Sequence, residues 1–251
     1  MQQSAEDKQL IARAEDAVDL AERRYMQKTV GFLNPRQRHL IETKVVVPET
    51  VKAVFFGGYA EAERTMLICC PAYEEPDVTG AAAVLLITGR DIAGLSHRDY
   101  LGSLMGLGIT RENIGDIVVE DERAVLFVRR EMSGYILQNL TRIGRCGIKI
   151  EETALDTLVI QPKAVEEIRQ TVSSLRLDCV VAAAIHVSRA RAAEMIEGEL
   201  VSLNFEVCSR VSAHINEGDL LSVRGYGRMR LASIGGLTRK NRQGIVILRY
   251  L

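Results

Sequence analysis

Between Leu175 and Asn204 the sequence sets two short helices back to back and follows them with a strand, an order that leaves few ways to fold. Leu175, Leu177, Val180, Val181 and Ala184 recur at helical spacing and line one face, with Leu175-Arg176-Leu177-Asp178 at its opening. Ser188 is placed to cap a second helix, Ser188-Arg189-Ala190-Arg191 onward, whose apolar face is Ala192, Met195 and Ile196. Gly198 stands where a helix ends in a left-handed residue, and Val201 to Asn204 then read as a short strand. Cationic groups thus lie beside two helix N-termini, a geometry that suits a phosphate backbone better than a small metabolite.

Charge distribution points the same way. The chain is nearly neutral at −1, yet from Leu220 to Leu251 there is no Asp or Glu, so Arg224, Arg228, Arg230, Arg239, Lys240, Arg242 and Arg249 are expected to stand unopposed. A local basic face on a balanced protein implies one surface docking on polyanion. Arginine predominates there, and its guanidinium can fork onto phosphate oxygens and stack on bases. The competing reading of such a run is a merely solvated basic surface.

With 47% apolar and 26% charged residues, 251 residues supply ample core for one or two domains. No apolar run approaches a membrane span, and the opening Met1-Gln2-Gln3-Ser4-Ala5-Glu6-Asp7 is unlike a signal peptide, so a cytoplasmic protein without membrane contact is expected. Cys69, Cys70, Cys146, Cys179 and Cys208 form no CxxC pair and no zinc-like spacing; they read as small hydrophobes, and neither metal nor cofactor is expected. Aromatics are only 5% and Trp is absent, which disfavours a stacking platform for single strands and favours structured RNA read through backbone and shape.

Toward the N-terminus, Ala5 to about Lys28 reads as a helix with an apolar stripe at Leu10, Ile11, Ala14, Val18 and Ala21. Asn34-Pro35 is a cap followed by a first-turn proline, starting a second helix that stops before Pro48. Val51 to Phe56 and Met66 to Cys70 form a hairpin around Gly57 to Arg64. Beyond the loop from Pro71 to Pro76 come strand (Ala83–Ile87), helix (His97–Met105), strand (Asp116–Val119), strand (Ala124–Val128), helix (Met132–Ile143) and strand (Gly147–Glu151). That βαββαβ order is what a ferredoxin-like α–β plait requires, with right-handed crossovers limiting the strand order. The same plait carries many RNA-recognition modules, but the aromatic sheet motif they use is missing, so this part binds by another face or braces its neighbours.

Gln161-Pro162-Lys163 begins a connector, Val165 to Ser173 is open between strand and short helix, and strands around Leu220–Arg224, Leu231–Ile234 and Ile245–Tyr250 complete a small sheet under the two C-terminal helices. The expected class is α+β: N-terminal helices and hairpin over 1–76, the plait over 77–160, and a small α/β RNA-binding domain over 175–251.

Residues 175 to 224, with Leu-Arg-Leu-Asp-x-x-Val at 175 to 181, Ser-Arg-x-x-Ala at 188 to 192, Ile196, Val201-x-x-Asn204 and Gly218-Asp219, resemble the RNA-binding domain first defined in small-ribosomal-subunit protein four, the α-L motif. Flanking segments, Phe32-Leu33-Asn34-Pro35-Arg36, Phe56-Gly57-Gly58-Tyr59-x-Glu61-Ala62-Glu63-Arg64, Ser96-His97-Arg98-Asp99-Tyr100-Leu101-Gly102 and Arg224-Gly225-Tyr226-Gly227-Arg228, resemble the bacterial YlmH family across nearly the whole chain. The resemblance implies a protein that binds rRNA and tRNA on the large ribosomal subunit in ribosome quality control, in a family also linked to cell division. It implies RNA phosphate and sugar contacts by Arg176, Ser188, Arg189 and Arg191, with Asp178 orienting Arg176 or Arg189, since a carboxylate against phosphate would repel it. Asn204 is open between an RNA hydrogen bond and a turn cap. Arg224, Arg228, Arg239, Lys240 and Arg242 extend the footprint, with Gly225 and Gly227 permitting close backbone approach.

His97-Arg98-Asp99 spells the start of a kinase catalytic loop, but Ser103 stands where that loop needs Asn and no kinase glycine loop precedes it. Ser96 and Asp99 suit a helix cap instead. His97 and Arg98 remain candidates for an additional RNA contact, with Gly102, Gly106 and Gly108 letting a partner close in; tight packing of those glycines on the sheet is the favoured alternative. An RNA-modifying enzyme is the rival class, because the small domain is often fused to pseudouridine synthases and methyltransferases. Here the only Arg-Leu-Asp lies inside the motif at 176 to 178, and a hairpin rather than a helix follows Phe56-Gly57-Gly58. A division-linked interaction protein is the third reading, the near-neutral N-terminal two-thirds being equally open to a protein partner and to RNA.

Overall fold

The computed structural model describes residues 4–155, 158, 160 and 165–250, in two compact units, Met1–Ile160 and Gln161–Leu251. The connector at Gln161-Pro162-Lys163 lies outside the described residues.

Unit 1 begins with α1 (Ala5–Arg24), capped by the Ser4 hydroxyl accepting from the Asp7 amide. Its buried stripe is Leu10, Ala14, Ala17, Val18 and Ala21, small residues that let the helix lie close on a sheet. The helix ends before the expected Lys28, because Tyr25 takes a left-handed conformation and Lys28–Leu33 forms a strand, β1, that the sequence reading missed. Gly31 interrupts this run, and a side chain there would sit 2.7 Å from the Glu112 carbonyl. Asn34 and Gln37 then form a reciprocal capping box for α2 (Pro35–Lys44). β2 (Val51–Phe56) and β3 (Thr65–Pro71) make the hairpin, and the sheet order is β1-β3-β2, all antiparallel.

After the short α3 (Val78–Ala81) come β4 (Ala82–Thr88), α4 (His97–Gly106), β5 (Ile114–Val119), β6 (Arg123–Arg129), α5 (Arg130–Asn139), the small hairpin β7 (Arg142–Ile143) and β8 (Cys146–Gly147), and β9 (Lys149–Thr153). The second sheet runs β5-β6-β4-β9, again antiparallel throughout. α5 stops short of the expected Ile143, because Gly144 turns the chain at positive φ and Ile143 is drawn into the core from β7.

Strand alternation divides the second sheet's side chains between two cores. Leu85, Ile87, Leu126 and Val128 pack with Tyr100, Leu104 and Ile136 under α4 and α5. Val84, Val125 and Phe127 point the other way, onto Phe32, Met66 and Ile68 of the first sheet. The two sheets therefore stack face to face, with helices outside each, and the segments 1–76 and 77–160 share one compact unit. Each fully buried Phe, Leu or Ile contributes about 1.5–3 kcal/mol to that stack. Gly102 and Gly106 do not pack on the sheet as favoured above: a side chain at either would meet nothing within 4 Å.

Unit 2 contains β10 (Val165–Val172), α6 (Leu177–Ala184), α7 (Arg189–Glu197), β11 (Val201–Leu203), β12 (Glu206–Val207), β13 (Leu220–Val223), β14 (Gly227–Leu237) and β15 (Gln243–Tyr250). The antiparallel order is β10-β15-β14-β13-β11-β12. β10 is a strand because every residue from Val165 to Val172 pairs with β15. Leu177, Val180 and Val181 of α6 and Ala192, Met195 and Ile196 of α7 meet Leu221, Met229, Leu231 and Ile247 in one core. Gly198 is not the left-handed residue that ends α7: its φ is −78°, and Glu199 at 58° takes that role. A side chain at position 198 would come within 3.1 Å of the Glu194 carbonyl.

Candidate nucleic-acid interface

α6 and α7 are joined by a tight turn through His186, whose φ of 55° reverses the chain so that the second helix starts beside the first. Ser188 caps α7, its hydroxyl accepting from the Arg191 amide at 3.1 Å. In the first turn of α6, Asp178 is buried, with a side chain only 5% exposed, while the side chains of Arg176 and Arg189 are 44% and 56% exposed. Arg176 Nε donates to Asp178 Oδ1 at 3.0 Å and Arg189 Nε to Oδ2 at 3.2 Å, with a further bond from the Arg189 terminal amine. Asp178 thus orients both arginines from below and leaves their outer edges to solvent. Burial by itself pushes the Asp178 carboxyl up; the Arg189 and Arg176 guanidiniums outweigh it and hold the group below its usual range.

The helix N-termini are not equally open. In α6 the Leu177 amide donates to the Ala213 carbonyl at 2.8 Å and Asp178 to Val211 at 3.2 Å, so these donors are spent inside the unit. Only α7 retains the character expected of a pair. Arg191 makes an exposed ion pair with Glu194, 2.9 Å, of the kind worth about 0–1 kcal/mol and easily exchanged for phosphate.

A cleft of about 290 Å³ brings Arg189 together with Arg242, and with Thr171, Ser173, Cys179 and His186. Arg242 is held there from the β14–β15 turn, its Nε donating to Thr171 Oγ1 at 3.1 Å and its terminal amine to the Thr171 carbonyl. His186 is exposed and was missed by sequence reasoning; its only signal was a lone polar residue between two helices. Arg239 and Lys240 are exposed in the same β14–β15 turn as Arg242, and Arg224 is exposed just past β13, with Gly225 and Gly227 at positive φ after it. Arg228 is half-buried. Arg249 is not unopposed: it faces Glu166 across the β10–β15 ladder and pairs with it at 3.6 Å, because strand register supplies an acid from outside the tail.

Asn204 is left-handed and spends its amide on the adjoining turn, donating to Asp219 Oδ1 at 2.8 Å and accepting from the Leu220 amide at 2.9 Å. Its turn role is thereby filled. His97 and Arg98 are exposed on α4, in the other unit from Arg176 and Arg189. The Ser96 amide and hydroxyl both donate to Asp99, at 2.8 and 2.7 Å, so the two residues serve the helix start, as their spacing predicts. No group of three His, Cys, Asp or Glu among the described residues could hold a metal ion, and no helix is long and apolar enough to cross a membrane.

A family model described as the putative RNA-binding domain in YlmH matches residues 86–157. Ribosome-associated protein quality control protein P2 of Bacillus subtilis (strain 168) is 33% identical over 247 residues, covering 97% of this chain and 95% of that one. The chain belongs to the YlmH family. A solved structure of cell division protein ylmH from Streptococcus pneumoniae shares the fold with a TM-score of 0.52 at 21% identity, over 64% of this chain and 98% of that chain. The YlmH domain match falls on the second sheet of unit 1 rather than on α6 and α7. One face of that sheet lies under α4 and α5 and the other is sealed by Phe32, Met66 and Ile68, so neither is open for base stacking.

Proposed function

We propose that this YlmH-family chain is a non-catalytic RNA-binding factor that docks on structured RNA, rRNA and tRNA on the large ribosomal subunit, and serves translation or ribosome quality control in the cytoplasm. The observation that carries the reading is the pair Arg176 and Arg189, fixed by a buried carboxylate yet half exposed, with Arg242 sharing a cleft with Arg189. Arginines held in place beforehand lose little freedom on meeting phosphate, and a guanidinium matches phosphate geometry better than an ammonium. The family's putative RNA-binding domain and the ribosome-associated relative support binding rather than catalysis.

In this reading Arg176, Ser188, Arg189, Arg191 and Arg242 form the centre of the contact, and Arg224, Arg228, Arg239 and Lys240 its rim. Asn204 shapes the surface through its turn. The two short helices followed by a strand support an α-L type domain over 175–251, and the order β5-β6-β4-β9 supports an α–β plait over 77–160.

Ultraviolet crosslinking in living cells, with sequencing of the attached RNA, tests the proposal. Reads concentrated on large-subunit rRNA and tRNA are expected. Reads confined to one modified small-subunit or tRNA position would replace it with an RNA-modifying enzyme, and absence of enrichment with a division-linked interaction protein.

A further inference from the structure

Among the described residues, seven of the fourteen arginines of unit 1 sit in ion pairs. Arg13 pairs with Glu112, Arg36 with Asp7, Arg123 with Glu120 and Arg130 with Glu152, while Arg64 and Arg111 donate to backbone carbonyls. Besides Arg24 at the end of α1, the side chains of Arg90, Arg142 and Arg145 are exposed and make no ion pair or hydrogen bond among the described residues, and exposed Arg98 has Asp99 as its charged neighbour.

Arg90, Arg98, Arg142 and Arg145 are carried by three elements that hydrogen bonds tie together at one corner of the unit. The β7–β8 hairpin, carrying Arg142 and Arg145, is anchored by Ile143 in the core. Its tip reaches α4, where the Gly144 amide donates to Ser103 Oγ at 3.3 Å, and that hydroxyl donates to the Asp99 carbonyl beside Arg98. Its returning strand reaches the β4–α4 loop, where the Cys146 thiol donates to the Asp91 carbonyl at 3.3 Å, next to Arg90. Gly89 makes this docking possible, since a side chain there would press to 2.9 Å on the Gly147 carbonyl. Three acids lie nearby: Asp99 accepts from Ser96, Glu151 pairs with Lys149 at 3.6 Å, and the exposed Asp91 carboxylate makes no ion pair or hydrogen bond among the described residues. The corner is therefore net cationic, and α4 presents Gly102 and Gly106 beside it with nothing within 4 Å of either would-be side chain.

We propose that this corner, Arg90, Arg98, Arg142 and Arg145 on the hairpin, loop and helix, is a second RNA-docking surface that grips the phosphodiester backbone of structured RNA. It lies within the stretch matching the family's putative RNA-binding domain, in which both sheet faces are closed. Backbone contact by rim arginines is the mode left to such a domain. The inference rests on the proposed function only in taking RNA as the partner.

The full-length chain is titrated against two probes, protein-free large-subunit rRNA and purified large ribosomal subunits, across a salt series. R142E/R145E is compared with R191E/K240E, which alters only unit 2, and with G89V, which keeps every cation but displaces the hairpin. Expected are a loss of about tenfold or more for R142E/R145E on both probes at unchanged melting temperature, a shallower salt dependence by about one unit of slope per lost phosphate contact, and a smaller loss of affinity for G89V, whose melting temperature falls as the hairpin shifts. Unchanged affinity in R142E/R145E alongside a loss in R191E/K240E overturns the second surface and leaves the proposed function standing. Loss on subunits but not on protein-free rRNA overturns it in favour of an acidic protein partner. No binding by the unaltered chain overturns both.

Discussion

Arg189 and Asp178 form a bond between two helices: a guanidinium at the start of α7, more than half exposed, closes on a carboxylate in the first turn of α6 that is almost wholly buried. The acid is therefore a positioning residue, and Arg176 shares it. Asp178→Asn keeps the shape but removes the charge. It is expected to destabilise unit 2 by about 1–3 kcal/mol in chemical denaturation and to weaken RNA binding while Arg189 and Arg191 are still present. The folded carboxyl titrates below its unfolded value of about 3.9, so its stabilisation is complete above that pH and is lost as pH falls through the lower folded value. Acid titration of D178N should lack this component; parallel profiles for the two proteins would show that the arginines do not depend on it.

Arg249 and Lys240 both belong to the acid-free tail but differ in what they face. Because Glu166 already pairs with Arg249, R249Q should change RNA affinity less than about twofold and stability by at most about 1 kcal/mol. R239E/K240E should weaken binding about tenfold and flatten its salt dependence. Equal effects would mean that the tail acts as diffuse charge.

Glu199 occupies a left-handed position, φ 58°, that costs a residue with a side chain about 1–2 kcal/mol relative to glycine. E199G is expected to raise stability by about 1 kcal/mol. G198A should not, because its new methyl group meets the Glu194 carbonyl. Thermal denaturation of the two variants decides which residue ends α7.

Asp116 is buried between the sheets of unit 1 and accepts from Tyr59 Oη at 2.7 Å, the Glu63 amide at 2.8 Å and the Arg64 amide at 3.0 Å. Asp116→Ala strands those donors and should cost about 2–4 kcal/mol, measured by urea denaturation. A loss under 1 kcal/mol would mean that water replaces the carboxylate. Tyr59→Phe, which removes one donor, should cost less.

What the sequence determined by itself is mostly local. Asn34, Ser96 and Ser188 cap their helices within three residues, the β2–β3 hairpin closes through adjacent segments, and the stripes of α1, α6 and α7 follow helical spacing. Asp178 was legible as an orienting acid because its partners belong to the same two-helix motif. Tertiary structure decided whatever depends on residues far apart in the chain. It made Lys28–Leu33 a strand because β3 offers it a ladder, opposed Arg249 with Glu166, spent the α6 N-terminal amides on Val211 and Ala213, and closed the second sheet with Phe32 and Met66. It also joined Arg189 to Arg242 and set the β7–β8 hairpin beside α4. Caps and stripes are set by neighbours along the backbone, whereas charge pairing and open surface depend on what the fold brings opposite each group.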